Sequence, residues 1–270
     1  MAAFTLTAKA GSAGRIDLSD LIPALITGAG AAAVSAIPVG GGAAPIRLGD
    51  VFAVSGEPGV DVTINAANLV ADGIAAGLAG GKVIFNGSAG NNAGRGMKGG
   101  TLEIRGNAGA YLGTGMKGGI IHVVGSAGDF VGGVASGKRF GMTGGTIVID
   151  GNAGARAGDK MRRGLILVRG KTGEAAGSRM AGGTIVAEGG FGPRPGPLMR
   201  RGTLIGPRAD EILATFADCG VHDLVILKLM ARAWARELGP LAPRQLPQTV
   251  RRFAGDLAAI GKGELLVTTG

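Results

Sequence analysis

The sequence is poor in the residues that usually support thiol, metal or stacking chemistry. Its 270 residues include one cysteine, two histidines, one tryptophan and one tyrosine, and aromatic residues make up 4% of the chain. A single cysteine excludes an internal disulfide and a thiolate metal cluster, and it suits a reducing cytosol. Two histidines are too few for a His-rich metal site. We therefore expect a cytoplasmic chain with an aliphatic core and no metal site.

Glycine, in contrast, is abundant. The chain has 55 glycines but only 11 prolines, and the glycines follow no three-residue period, so a collagen helix is excluded. Hydrophobic residues make up 46% of the chain and the mean hydropathy is +0.32, which argues against simple disorder. The composition indicates a folded protein with many tight turns.

Neither of the usual membrane or export signals is evident. The N-terminus lacks the basic and then apolar pattern of a signal peptide. The apolar stretch from Leu21 to Pro45 is rich in glycine and alanine and contains prolines, so we interpret it as core and turn rather than as a membrane span. We expect no association with a membrane.

The net charge of +9 is concentrated in the middle of the chain. Residues 82–206 carry 17 basic and 6 acidic side chains, whereas residues 1–81 carry 3 and 6, and residues 207–270 carry 8 and 7. The middle segment therefore has a net charge of +11, and an anionic partner is plausible there.

The same middle segment repeats itself. Six methionines follow one another at steps of 19, 26, 19, 19 and 19 residues, and the step of 26 is one period plus a seven-residue insertion. These are Met97, Met116, Met142, Met161, Met180 and Met199. Leu78 opens an equivalent unit 19 residues before the first of them, so seven units run from about residue 78 to 207. A period near 20 residues is typical of a solenoid.

Each unit contains a glycine pair, a short aliphatic run and a second glycine-rich turn, as in Gly144-Gly145, Thr146 to Ile149, and Gly151 to Gly154. Short β-branched runs bounded by glycine predict strands. Alternate residues of each run should point into a shared core. The predicted inward residues are Leu102, Ile104, Ile121, Val123, Ile147, Ile149, Ile166, Val168 and Ile185, and the methionines should stack beside them.

A 19-residue unit is too short for a helix pair, and the leucine and asparagine signature of leucine-rich repeats is absent. We therefore predict a mainly β fold, a right-handed parallel β-helix of about seven 19-residue coils over residues 78–207. Residues 1–77 should form an N-terminal cap with irregular first coils, including strands over residues 46–56 and 60–65. Such caps cover the exposed ends of a solenoid.

Residues 208–270 should form a C-terminal extension of mixed helix and strand. Helices are predicted over residues 210–216, 221–238 and 250–260, although Leu224 to Leu227 could be strand, and a strand is predicted over residues 264–267. Cys219 follows the first of these helices, and we interpret it as a small buried apolar residue.

We find no catalytic constellation. HExxH, CxxC, GxSxG and GxxxxGK[ST] patterns are absent, and the many GxGxxG-like strings are expected in a glycine-rich repeat without a βαβ pattern. His122 lies between two inward positions, so it should face outward as a surface or interface residue. The acidic residues Glu103, Asp150 and Glu188 should pair with Arg105 and Arg169 rather than form a catalytic pair.

Basic residues give the sharper hypothesis. Stacked units should align the residues that follow each methionine into columns, which makes Lys98, Lys117, Arg162, Arg163, Arg200 and Arg201 the candidate binding residues. The two arginine pairs should lie two coils apart, roughly 10 Å. They could hold a polyanion, form a subunit interface, lie on a solvated face, or pair with Asp159. A nucleic acid is disfavoured because the units have almost no aromatic residues for base stacking.

The repeated Gly-x-x-Met-x-Gly-Gly pattern, apolar run and Gly-Asn-Ala-Gly turn resemble those of the C-subunit family of formylmethanofuran dehydrogenase. The long unit from Gly128 to Met142, the start from Leu48 to Gly56 and the tail from Arg251 to Val267 are similar to it as well. The repeat is also similar to the C-terminal domain of glutamate synthase, which implies the alternative of a spacer between active sites with flavin and glutaminase partners. Within the family, the composition rich in alanine, glycine and arginine suggests a GC-rich bacterial genome. It therefore favours the member found in the bacterial formyltransferase/hydrolase complex over that of the archaeal molybdenum or tungsten dehydrogenase.

This resemblance implies a non-catalytic structural subunit in one-carbon metabolism. The complex moves a formyl group from formyl-tetrahydromethanopterin to a methanofuran-type carrier and hydrolyses it to formate. The implied partners are amidohydrolase, formyltransferase and dehydrogenase-B-like subunits, and any metal would belong to them. Carriers in this family have a polyglutamate tail, which the basic columns could bind.

Overall fold

The computed structural model describes residues 3–26, 30–39, 46–57, 59, 61–66, 68–244 and 246–268. The strands are β1 Ala3–Ala8, β2 Ala13–Asp17, β3 Phe52–Gly56, β4 Asp61–Asn65, β5 Asn68–Asp72, β6 Lys82–Asn86, β7 Thr101–Ile104, β8 Ile120–Val123, β9 Thr146–Ile149, β10 Leu165–Val168, β11 Ala181–Ala187, β12 Arg201–Gly206, β13 Ala217–Asp223, β14 Thr249–Gly255 and β15 Lys262–Thr268. The helices are α1 Leu21–Ile26, α2 Ala31–Ser35, α3 Leu48–Val51 and α4 Val225–Leu238, followed by a 3-10 turn at Gly239–Leu241. The prediction of a mainly β chain is confirmed.

One large sheet organises the molecule. Within the described residues, thirteen strands pair in the order β13-β14-β15-β12-β11-β10-β9-β8-β7-β6-β4-β1-β3. The long central part, from β1 to β15, is parallel, and only β3, β13 and β14 pair in an antiparallel manner at its two ends. The repeat units pair in register, so that Ile147 lies beside Ile121 on one side and Ile166 on the other.

Each repeat unit pairs with its neighbour a second time at its other glycine-rich turn. Single-residue parallel bridges join one residue per unit there, namely Ala71, Ala89, Ala108, Ala127, Ala153, Thr172, Phe191 and Ala209. Because each unit meets the next at two separate places, the units stack as a β-helix-like array.

Two internal columns fill the space within the units. All nine residues that the sequence placed inward are fully buried, as are the six repeated methionines. Both predictions are confirmed. Aliphatic side chains in register on successive strands bury one another efficiently, and flexible methionines fill the remaining gaps.

A glycine column explains the repeated glycine pair. The second glycine of each pair has a positive φ, +88° at Gly119, and a Cβ there would lie 2.6 Å from the carbonyl oxygen of Gly100. No larger residue fits such a position. Arg163 and Arg201 take the place of the first glycine, and neither has a positive φ. These two arginines are therefore free of the left-handed strain that a positive φ would impose.

The N-terminal segment differs in part from the prediction. Residues 46–56 begin with the short helix α3, which ends where β3 starts at Phe52, so this segment is not all strand. The second predicted strand is present as β4, although Val60 lies outside the described residues. The Leu21 to Pro45 stretch contains α1 and α2, and its residues 27–29 and 40–45 are likewise not described. Among helices in the described parts of the chain, none combines the length and apolar character that a membrane crossing requires.

The C-terminal predictions need larger corrections. Residues 210–216 form turns rather than a helix, α4 begins at Val225 rather than Val221, and residues 249–255 form β14 rather than a helix. Pairing decides the last of these, because β14 lies between β13 and β15 and hydrogen-bonds to both. The predicted strand over residues 264–267 is confirmed within β15.

Cys219 is exposed, contrary to the prediction of burial. It lies on β13, the outermost strand at one end of the large sheet, with neighbours on one side only.

A second apolar layer covers part of the outer face of the sheet. Outward residues of the later strands, including Val148, Leu167 and Val186, are buried together with Leu227 and Leu238 of α4. The helix and the residues after it therefore pack across the outside of the repeat.

Candidate functional site

The basic column that the sequence predicted is present. Lys98, Lys117, Thr143, Arg162, Ala181 and Arg200 follow one another along one corner of the stacked units. The backbone N–H of each donates to a carbonyl oxygen of the preceding unit, at Leu78 or at the preceding methionine, over 2.7–2.9 Å. Successive members are therefore one strand spacing apart, and Arg162 and Arg200 are separated by two spacings, roughly 10 Å.

The six candidate residues are exposed and carry uncompensated charge. Lys98, Lys117, Arg162, Arg163, Arg200 and Arg201 form no ion pair with any carboxylate in the part of the chain that the structure describes. The alternative of pairing with Asp159 is wrong. Asp159 is fully buried and accepts three hydrogen bonds of 2.7–3.0 Å from Arg179 instead.

The seven-residue insertion adds two residues that sequence reasoning missed. The guanidinium of Arg139 lies 5.1 Å from the ring centre of Phe140, and that of Arg162 lies 5.2 Å from the same ring. Both are within cation–π distance. The only signal in the sequence was the basic and aromatic run Lys138-Arg139-Phe140 inside the insertion.

Together these residues line an open depression of about 350 Å³, which we call the arginine depression. Its lining consists of Arg139, Phe140, Arg162, Ala181, Arg200, Arg201 and Ile260. Lys98, Lys117 and Arg163 are not part of it. The depression therefore collects three of the predicted basic residues, and the rest of the column continues along the surface beyond it.

The acidic residues on the strand face are paired as predicted. Glu103 binds Arg105 at 2.9 Å and Lys82 at 3.1 Å. Partial burial raises the pKa of Glu103, but these two cations outweigh it and hold the pKa below its ordinary value. The carboxylate therefore stays ionised at neutral pH, as a structural ion-pair partner does.

The other strand-face network centres on Arg169. This side chain is only 8% exposed and binds Asp150 at 2.9 Å and Glu188 at 3.6 Å, as predicted. It also donates to the carbonyl oxygens of Pro240 and Ala242, at 3.2 and 3.4 Å. The network therefore ties the segment after α4 to the outer face of the sheet.

His122 lies on the outward side of β8, as predicted, and it is half-buried rather than free. Its Nε2 is 2.9 Å from Asp150. That carboxylate also accepts from Arg169, so it is held between two partners. Within the ranges that the structure covers, no three His, Cys, Asp or Glu side chains come together in a way that could hold a metal ion.

The fold and the site together define a class of protein. It is a glycine-repeat chain with parallel strands stacked in register, ion-paired carboxylates on the strand face and a column of exposed basic residues along one corner. No family profile matches the chain. A crystal structure of the formyltransferase/hydrolase complex (FhcABCD) from Methylorubrum extorquens, in complex with methylofuran, contains a similar chain. The two share 39% sequence identity and a TM-score of 0.88, over 98% of this chain and 100% of the other.

A curated relative agrees with this structural match. It is the C subunit of the formyltransferase/hydrolase complex Fhc of Methylorubrum extorquens, which is 45% identical over 56 residues. That stretch spans 21% of this chain and 21% of the relative's length. The chain belongs to the C-subunit family of the formyltransferase/hydrolase complex, as the resemblance of its repeat implied.

Proposed function

We propose that the chain is a non-catalytic structural subunit of a formyltransferase/hydrolase complex. This complex transfers a formyl group from formyl-tetrahydromethanopterin to a methanofuran-type carrier and hydrolyses it to formate. The observation that carries the proposal is the similarity to a chain of the FhcABCD complex over 98% of this chain and 100% of the other. The carboxylates at the strand face are held in ion pairs, which suits a structural role.

The partners follow from the same proposal. They are an amidohydrolase, a formyltransferase and a dehydrogenase-B-like subunit, and these would hold the reaction centres and any metal. The location would be cytoplasmic, in keeping with an exposed and unpaired Cys219.

We also propose that the repeat closes as a right-handed parallel β-helix of about seven coils over residues 78–207. The two sets of parallel pairings between successive units support this form. Residues 1–77 would cap one end, and residues 208–270 would form the C-terminal extension. The antiparallel pairs at the two ends of the large sheet suit this division.

The basic column would contact either the polyglutamate tail of the carrier or a partner subunit. Support comes from the lack of compensating carboxylates around Lys98, Lys117, Arg162, Arg163, Arg200 and Arg201 within the described ranges. Exposed guanidinium groups bind carboxylates well, and such contacts weaken as salt rises.

The non-catalytic role can be tested by comparing the isolated chain with the assembled complex. We expect the purified chain, supplied with zinc or other divalent metals, to release no formate from a formylated carrier. The complex should release formate under the same conditions. Turnover by the isolated chain at a rate comparable to the complex would contradict the proposal.

A further inference from the structure

The arginine depression concentrates positive charge without an internal counter-charge. Arg139, Arg162, Arg200 and Arg201 are all exposed, and no carboxylate lines the depression with them. None of the four forms an ion pair within the described part of the chain. Lys262 lies beside Arg201 in the register of β12 and β15 and adds a fifth charge nearby. Gathering like charges on one surface is unfavourable unless an outside anion compensates them.

The depression is built by two departures from the regular repeat. The insertion supplies Arg139 and Phe140, and the ring lies within 5.2 Å of two guanidinium groups. Ala181 occupies the column between Arg162 and Arg200, so a small side chain separates two long ones. The open floor between these arginines is therefore formed by residues specific to these units.

An apolar border adjoins the charged surface. Leu198, Leu257 and Ile260 are 51%, 59% and 46% exposed, and Ile260 also lines the depression. Buried Asp256 holds this border in place, because its carboxylate accepts 2.8 Å hydrogen bonds from the backbone N–H groups of Leu198 and Ala258. Burial raises the pKa of Asp256, but the Thr215 hydroxyl and these two backbone N–H groups outweigh it and lower the pKa overall. The exposed side chains are thus presented from an anchored loop.

We propose that the arginine depression and its apolar border form the docking surface for a partner subunit of the complex. The matching surface of that subunit would present carboxylates beside apolar side chains. This inference rests on the proposed function and specifies the face that assembly uses. Arginine and aromatic residues next to exposed apolar side chains are typical of the central part of a protein interface. A small polyanion would use the charges but leave the apolar border exposed.

The test compares two variants with equal charge loss. The first changes Arg139, Arg162, Arg200 and Arg201 to glutamine. The control changes four exposed arginines elsewhere, Arg95, Arg208, Arg232 and Arg236, to glutamine. Each tagged chain is mixed with the other purified subunits of its complex, and the dissociation constant is measured at low and moderate salt. Thermal unfolding of each variant checks that the fold is retained.

We expect the depression variant to bind the other subunits at least about 100-fold more weakly at low salt, and its salt dependence to be smaller. The control should stay within about threefold of the unaltered chain. A third variant, Leu257→Ser with Ile260→Ser, should bind about tenfold more weakly while its salt dependence is unchanged.

Other outcomes overturn the inference. If the depression variant assembles as well as the control, the docking face lies elsewhere while the proposed function stands. If it assembles normally but loses binding of a hexaglutamate peptide, the depression is a small-polyanion site instead. If the unaltered chain itself does not assemble with these subunits, the proposed function and the docking surface both fail.

Discussion

Equivalent positions in successive repeat units form columns, and the neighbours of a residue within its column limit which side chain can stand there. A side chain at Gly119 would strike the backbone of the preceding unit, and the same holds for Gly100, Gly145 and Gly164. The repeated methionines are all buried in the same way. Because these requirements recur in every unit, the sequence revealed both columns.

Pairs that occur once left no such signal. Asp159 is fully buried, and Arg179, 20 residues further along the chain, is its ion-pair partner among the described residues. The sequence analysis offered Asp159 as a possible partner for the arginines of the basic column. Spacing along the chain does not show which side of a corner a side chain faces, so this alternative could not be excluded from the sequence. The choice between neighbouring arginines depends on side-chain direction, which only the structure supplies.

The Asp159 pair predicts a large difference between two otherwise similar substitutions. Arg179→Met should lower the free energy of unfolding by about 3 kcal/mol, since it leaves a buried carboxylate without its partner. Arg194→Met is the matched control. Like Arg179, Arg194 has a positive φ and pairs with a carboxylate, in this case that of Glu174. The side chains of Arg194 and Glu174, however, are each about half exposed.

The control should cost less than about 1 kcal/mol, because exposed ion pairs contribute little. Chemical denaturation of the two variants gives both values. If both variants lose the same free energy of unfolding, the removal of Arg179 does not leave a buried and unpaired charge on Asp159, and the prediction is contradicted.

Strands and helices were predicted correctly where the repeat determines their position, and less correctly where tertiary contacts determine it. Strands β7 to β12 follow from the period, since each unit has a partner of the same kind on either side. A helix was predicted over residues 250–260, yet residues 249–255 form β14, because two neighbouring strands satisfy the backbone hydrogen bonds of that strand. Helix α4 was recognised, but the surface that it covers was not.

That surface had a signal in the outward strand positions. Val148, Leu167 and Val186 are apolar, whereas Glu103 and His122 occupy the same column in earlier units. An outward column that changes from polar to apolar indicates that another element covers it. The candidate site was likewise predicted only in part. The sequence predicted the column of basic residues correctly. It did not predict the contribution of Arg139 and Phe140, because these residues belong to the seven-residue insertion, which the 19-residue period does not describe.

The tie between the repeat and the C-terminal segment predicts a local effect. Arg169→Met should remove the bonds to Pro240 and Ala242 and leave Asp150 and Glu188 without their shared partner. We expect the backbone amides of α4 and of residues 242–244 to exchange hydrogen at least about tenfold faster, while strands β7 to β9 stay protected.

Arg105→Met provides the control for this measurement. Arg105 occupies the same column as Arg169, but it is exposed, and its ion pair is with Glu103, two residues before it in the chain. Its loss should leave exchange in α4 unchanged. Faster exchange throughout the sheet in the Arg169 variant would show that the residue supports the whole fold rather than the attachment of one segment.

At the scale of the whole molecule, the chain combines a regular interior with an irregular surface. The stacked units give a long parallel sheet with antiparallel strands at both ends. The excess of positive charge lies in the repeat, and the arginine depression lies near its C-terminal end. This distribution suits a subunit that presents a fixed surface to its partners.

Native mass spectrometry of the tagged chain, purified from the organism that makes it, tests the central claim most directly. The account predicts one assembly of fixed stoichiometry that contains this chain with amidohydrolase, formyltransferase and dehydrogenase-B-like subunits. Recovery of the chain alone would contradict it. So would an assembly with a molybdopterin or iron–sulfur subunit, or with flavin and glutaminase domains.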